Sequence, residues 1–162
     1  MWVLVIYVDI NLHHSMTKGK TVPFETTLLV RDSCLCLHVQ RAARALARKF
    51  DEVLRPYGLT SGQFSLLMSL NRPAPPTMKD VAELLAMDRT TLTAALKPLA
   101  RNGWVKVTPD KIDKRSKRLL LTAAGSAVLA DAVPVWKKNH VALDAALPRS
   151  GDALRQDLMA LL

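Results

Sequence analysis

Apolar residues recur every three or four positions between Ser33 and about Arg55, at Leu35, Val39, Ala42, Leu46, Phe50, Val53 and Leu54. That spacing predicts a long amphipathic helix, with Arg41, Arg44 and Arg48 on another face. Pro56-Tyr57-Gly58 ends it. Thr60-Ser61-Gly62-Gln63 has the form of a capping box, with Leu59 and Phe64 placed as a hydrophobic staple, so a second helix is expected to about Leu70. Asn71-Arg72-Pro73-Ala74-Pro75-Pro76 is a stiff break. After Thr122 the pattern is helical again to about Ala146, with a kink expected at Pro134. A turn at Pro148-Arg149-Ser150-Gly151 precedes a last helix whose stripe of Leu154, Leu158, Leu161 and Leu162 one subunit leaves uncovered.

The stretch 77–122 has a finer grain. In Thr77-Met78-Lys79-Asp80 the Thr77 hydroxyl can accept the residue-80 N–H while Asp80 answers Thr77. Val81, Ala82, Leu84 and Leu85 come next at helical spacing. Asp88 then caps a second short helix, Met87 and Leu92 form a staple, and Leu92, Leu96 and Leu99 make one stripe that stops at Asn102-Gly103. Two helices so close together must cross steeply, as a helix-turn-helix. Ala86 takes the turn position where such motifs often have Gly. The exposed side of the second helix carries Arg89, Thr90, Thr91, Thr93, Ala94, Lys97 and Arg101, hydroxyl and cationic groups suited to the major groove. A solvated helix pair in an ordinary bundle fits the same residues.

The residues after Gly103 favour DNA. Trp104 to Thr108 alternates as a strand, and 117–122 returns as another. Between them lies a cation-dense tip, 109–116. A hairpin wing beside a recognition helix lets Arg or Lys reach a minor groove or phosphates. Asp113 inside that tip is read as an internal partner that holds Arg115 in place, and Lys117 begins the returning strand.

Asp88-Arg89-Thr90-Thr91-Leu92-Thr93, Leu96-Lys97-Pro98-Leu99, Asn102-Gly103-Trp104-Val105, Asp113-Lys114-Arg115-Ser116 and Leu121-Thr122-Ala123-Ala124-Gly125 resemble the MarR-type winged helix-turn-helix transcriptional regulators. The D-x-R-S wing leading into L-T-x-x-G is the more specific part, and the likeness runs from about Cys34 to Leu162. It implies a mainly α fold with a small β wing, a DNA-binding core at 60–122, and dimerisation helices at 33–55 and 123–162. It implies a homodimer on a pseudo-palindromic operator, a repressor released by an effector or an oxidant. Helix 88–101 would read bases and Arg115 would reach the minor groove. Many relatives carry a larger polar or basic side chain where this chain has Ala94, which puts base readout at that position in question.

Composition agrees. The 162 residues carry a net charge of +9, and 49% are hydrophobic, which suits a folded chain with a polyanionic partner. The cations crowd between Lys97 and Arg118. Two cysteines make no disulfide framework and suit a reducing, cytoplasmic setting. No Gly-rich phosphate loop, nucleophile elbow or zinc-protease motif marks an enzyme, and no cofactor is expected.

Three sensing modes come into view. Cys34 and Cys36, at the start of the first long helix, can act as an oxidant sensor or simply pack at an interface. Relatives that sense oxidants there use tyrosines, and Tyr7 and Tyr57 are not placed to help. Zinc binding by Cys34, Cys36, His38 and His140 needs an accident of folding, so no metal site is expected. By the likeness, small aromatic or phenolic acids bind between dimer helices and winged core. Leu37, Arg41, Phe64, Met68 and Trp136 are candidate lining residues, and core packing is the competing account of Phe64, Met68 and Trp136. A winged-helix module that only binds protein is the runner-up.

At the N-terminus, 17–32 reads as a linker. The apolar run at 1–12 is too short to span a bilayer and lacks signal-peptide features. The favoured explanation is that Met16 is the natural start.

Overall fold

The computed structural model describes residues 20–162, which fall into two units, 20–40 and 41–162. The apolar run at 1–12, the start at Met16 and Tyr7 lie outside them.

The first unit corrects an expectation. Most of the supposed linker is a helix, α1 (Phe24–Ser33). Pro23 sets its entry at φ −59°, and Glu25 stands at the positive end of its dipole. Apolar periodicity does not reveal it because, ten residues long, it mixes polar and apolar positions around its axis and forms no marked apolar stripe. Cys34, in extended conformation, separates α1 from α2 (Leu35–Leu54). The long helix therefore starts at Leu35 instead of Ser33.

In the second unit the local signals are met. Thr60 and Gln63 close both halves of a capping box on α3 (Ser61–Leu70). Thr77 and Asp80 do the same for α4 (Met78–Leu84) at 2.9 and 3.1 Å. Asp88 accepts the Thr91 N–H at 2.8 Å to start α5 (Arg89–Arg101). Strands β1 (Val105–Pro109) and β2 (Lys117–Leu121) pair antiparallel, Val105 with Leu121 and Pro109 with Lys117. Thr122 caps α6 (Ala123–Ala145), and Ser150 caps α7 (Gly151–Met159).

The core is built from Phe50, Leu54, Leu59, four residues of α3, Val81, the α5 stripe Leu92, Leu96 and Leu99, then Val105, Leu119, Leu129 and Ala132. It places the wing beside α5. The Leu119 N–H donates to the Pro76 carbonyl at 2.9 Å, and Thr77 bridges to Arg118, so the chain entering α4 lies along β2. At the other end, Thr122 donates its hydroxyl to the Gly103 carbonyl at 2.7 Å and accepts the Gly125 N–H at 3.1 Å. A Cβ on Gly125 would meet the Trp104 carbonyl oxygen at 2.3 Å. The glycine of the L-T-x-x-G motif is thus required by close packing of the start of α6 on the Trp104 backbone, just before β1. Asp144 and Arg155, with two contacts of 3.1 Å, fasten α7 to α6. The Arg155 guanidinium holds the Asp144 carboxyl below its usual range.

Candidate nucleic-acid interface

Helix α5 buries Leu92, Leu96 and Leu99 and leaves Arg89, Thr90, Thr91, Thr93, Ala94, Lys97 and Arg101 exposed. The two faces arise from one periodicity. Some hydroxyls are already committed. Thr91 donates to Asp88 Oδ2 at 2.6 Å, completing the cap, and Thr93 donates to the Arg89 carbonyl at 2.7 Å. Thr93 therefore presents its methyl group and remaining lone pairs outward, while Ala94 offers only a methyl.

A cleft of about 430 Å³ opens between the helix pair and the wing. Lys79 and Arg89 line one side; Arg115, Ser116, Lys117 and Asp113 line the other. A smaller, mostly apolar groove of about 230 Å³ adjoins it, lined by Met78, Leu96, Ala100 and Val107 with Thr93, Lys97 and again Lys117 at its polar edge. Six of the eight residues singled out for DNA contact are thus brought together: Arg89, Asp113, Arg115 and Lys117 around the first cleft, and Thr93 and Lys97, with Lys117 again, around the second. Thr90 and Thr91 stand apart on the first turn of α5. Lys79 joins them without a sequence signal. It lies on the first helix of the pair, and its spacing gives no sign that the wing folds back towards it.

The wing is held by two carboxylates. Asp113 accepts the Arg115 backbone N–H at 3.0 Å, and its carbonyl accepts the Ser116 N–H at 2.8 Å. It steadies Arg115 through the main chain rather than by a side-chain ion pair. Asp110 carries no sequence signal of its role. Only 7% exposed, it accepts the N–H groups of Ile112 at 2.7 Å and Asp113 at 3.0 Å, and pairs with the Arg118 Nε. Those bonds, that from Asp113 above all, lower its pKa from 3.8 to about 2. Arg118 also donates to the Pro75 carbonyl at 3.0 Å. Wing tip, strand β2 and the proline-rich entry to α4 are thereby tied together.

The candidate sensing residues are less gathered. In the second unit Phe64 and Trp136 stack, centroids 5.6 Å apart, and Trp136 stacks on His140 at 4.6 Å. Phe64 is buried in the core, whereas Arg41 and Met68 are exposed. His140 also meets Phe50 at 5.8 Å, and its Nδ1 is buried with no hydrogen-bond partner among the described residues. In the first unit Leu37 is half-buried, Cys34 half-buried and Cys36 exposed, both thiols free. His38 Nδ1 lies 2.9 Å from the Cys34 carbonyl oxygen. Among the described residues no group of three or more His, Cys, Asp or Glu could hold a metal ion. No described helix is long and apolar enough to cross a membrane.

A family model described as MarR family matches residues 59–117, the helix-turn-helix and most of the wing. The HTH-type transcriptional regulator YwoH of Bacillus subtilis is 38% identical over 84 residues, 52% of this chain and 61% of its own length. The multiple antibiotic resistance protein MarR of Escherichia coli is 35% identical over 81 residues, 50% of this chain and 56% of its own. The matched stretch is therefore less than two thirds of these curated relatives. Solved structures align more fully. The Mycobacterium tuberculosis transcriptional regulator MosR in complex with DNA is 38% identical with a TM-score of 0.73, covering 80% of this chain and 93% of MosR. A mutant E. coli MarR with operator DNA is 26% identical, also at 0.73, over 83% and 98%.

Proposed function

The chain belongs to the MarR family, and from that membership we propose that it is a transcriptional regulator, not an enzyme, that binds operator DNA as a homodimer in the cytoplasm. The observation that carries this reading is the cleft between the helix pair and the wing, which gathers Lys79, Arg89, Arg115 and Lys117. Helix α5 enters the major groove and the Arg115 wing tip enters the adjacent minor groove. The phosphodiester strand dividing those grooves then passes between helix and wing. Lys79, Arg89 and Lys117 are its counter-charges. Contacts of that kind fix register without reading sequence; Thr93, Ala94 and Lys97 face the bases.

A two-fold dimer sets its two α5 helices about one turn of duplex, ~34 Å, apart. Apolar side chains left open on the terminal helices, Leu154 and Leu158 on α7 among them, are the surface a second copy covers. Repression results from promoter occlusion. Release results when a small aromatic acid, or oxidation at Cys34 or Cys36, favours a dimer geometry with misplaced α5 helices. A differential affinity of ~1–3 kcal/mol changes occupancy about 5- to 150-fold.

Selection of bound fragments from the host genome, then gel shift on the recovered site, tests the proposal. Arg115→Ala should weaken binding markedly. Thr93→Ala should relax sequence preference. Lys79→Ala should weaken all sequences alike and reduce the salt slope by ~0.9. Parent-like binding by all three variants would overturn the reading, and salt-independent retention would point to a protein partner instead.

A further inference from the structure

Ile112 is the least covered large apolar residue among the described ones, at 96% exposure. An isolated exposed aliphatic side chain is ordinary on a protein surface, so exposure alone assigns it nothing. Its setting does. The Ile112 N–H is held by Asp110 Oδ1 at 2.7 Å, and the same oxygen holds the next N–H, that of Asp113, at 3.0 Å. Asp110 is itself fixed by Arg118. The tip presents this side chain on a braced main chain, with nothing of the fold covering it.

Its sequence neighbours on the tip are Lys111, Lys114 and Arg115. Cations so placed draw the tip against phosphates, and the groove between two phosphate rows is walled by deoxyribose, an apolar surface. The minor groove, about 6 Å wide, admits a narrow side chain rather than a helix. Aliphatic side chains that enter it unstack or widen base steps at a cost set by the deformability of those steps.

We infer that Ile112 is an apolar minor-groove contact: the wing reads the width and deformability of the flanking DNA through this side chain, while Arg115 supplies charge. The inference rests on the DNA-binding proposal above. It adds a specificity determinant acting outside the bases that α5 faces, and it requires that charge and shape at the tip be separable by mutation.

Ile112→Ser and Arg115→Ala are compared with the parent on the selected duplex and on duplexes altered only at the flanks. Ile112 is too exposed for its loss to impair folding. Ile112→Ser should lower operator affinity by about tenfold or more, the scale of losing a buried aliphatic side chain, while leaving the salt slope unchanged. It should also flatten the flank preference. Arg115→Ala should reduce the slope. If Ile112→Ser binds like the parent with flank preference intact while Arg115→Ala is weakened, the inference is overturned and the DNA reading stands. If neither change matters, both fall.

Discussion

Ala86 holds a conformation that alanine disfavours. Among the described residues three helix ends close with the same pair of backbone bonds. The Leu59 and Gly58 N–H groups reach back to Leu54 and Arg55, those of Met87 and Ala86 to Ala82 and Glu83, and those of Trp104 and Gly103 to Leu99 and Ala100. The pivot in each has positive φ: Gly58 at 69°, Gly103 at 71° and Ala86 at 49°. Only the helix-turn-helix pivot carries a Cβ, which costs ~1–2 kcal/mol in that region, offset in part by the entropy glycine adds to the unfolded chain. Ala86→Gly is therefore expected to stabilise the protein by about 0.5–1 kcal/mol, read from urea unfolding midpoints. A second residue runs against the rule that buried polar atoms find partners. His140→Phe keeps a ring beside Trp136 and removes the unpartnered nitrogen, so it should be neutral or stabilising by up to about 1 kcal/mol. A loss above ~2 kcal/mol would mean that the imidazole has a partner the described residues do not supply.

These residues also mark how far the sequence can be read. Thr60, Thr77, Asp88 and Thr122 are legible as caps because each bonds a backbone group within three residues. Asp110 and Arg118 are not, because their partnership needs the hairpin closed and the Pro75 carbonyl, 43 positions away from Arg118, brought alongside.

Among the elements, the wing depends most on such distant bonds. Asp110→Ala removes the acceptor for two tip N–H groups and the partner of Arg118. Faster hydrogen exchange at Ile112 and Asp113, with helix content unchanged and operator affinity lowered, is the expected result; unaltered exchange would show that the tip does not need the lock. The pH dependence has a definite sign. Asp110 has a folded pKa of about 2 against an ordinary 3.8, so its contribution is complete above that ordinary value and is lost as pH falls towards 2. The wing lock is accordingly insensitive to pH across about 5–8, the range where histidines titrate. A change of operator affinity there must arise outside it. Helix α1 gives the complementary lesson. Only ten residues long, it mixes polar and apolar positions around its axis, and periodicity can reveal only a helix with an apolar stripe.

For the whole molecule the decisive question is what covers the apolar side chains that each unit leaves open. Phe24 and Leu29 in the first unit, and Leu154, Leu158 and Met159 in the second, are between 41% and 68% exposed. A second copy covering them would count each residue twice. Leu158 is 42% exposed, so covering the remainder in both copies is worth ~1–2.5 kcal/mol, and Leu158→Glu should raise the dimer dissociation constant by about tenfold or more. Sedimentation would show a dimer for the parent and a shift to monomer for the variant. A parent that sediments as a monomer at micromolar concentration would remove the two-fold geometry.

Dimethyl sulfate footprinting on the selected fragment most directly tests the claim that α5 and the wing occupy neighbouring grooves. The reagent reports guanine N7 in the major groove and adenine N3 in the minor groove. Two patches of protected guanines about one helical turn apart, each flanked by protected adenines that the double variant Ile112→Ser, Arg115→Ala exposes again, is the predicted result. Protection confined to one groove, or adenines that stay protected in the variant, would contradict it.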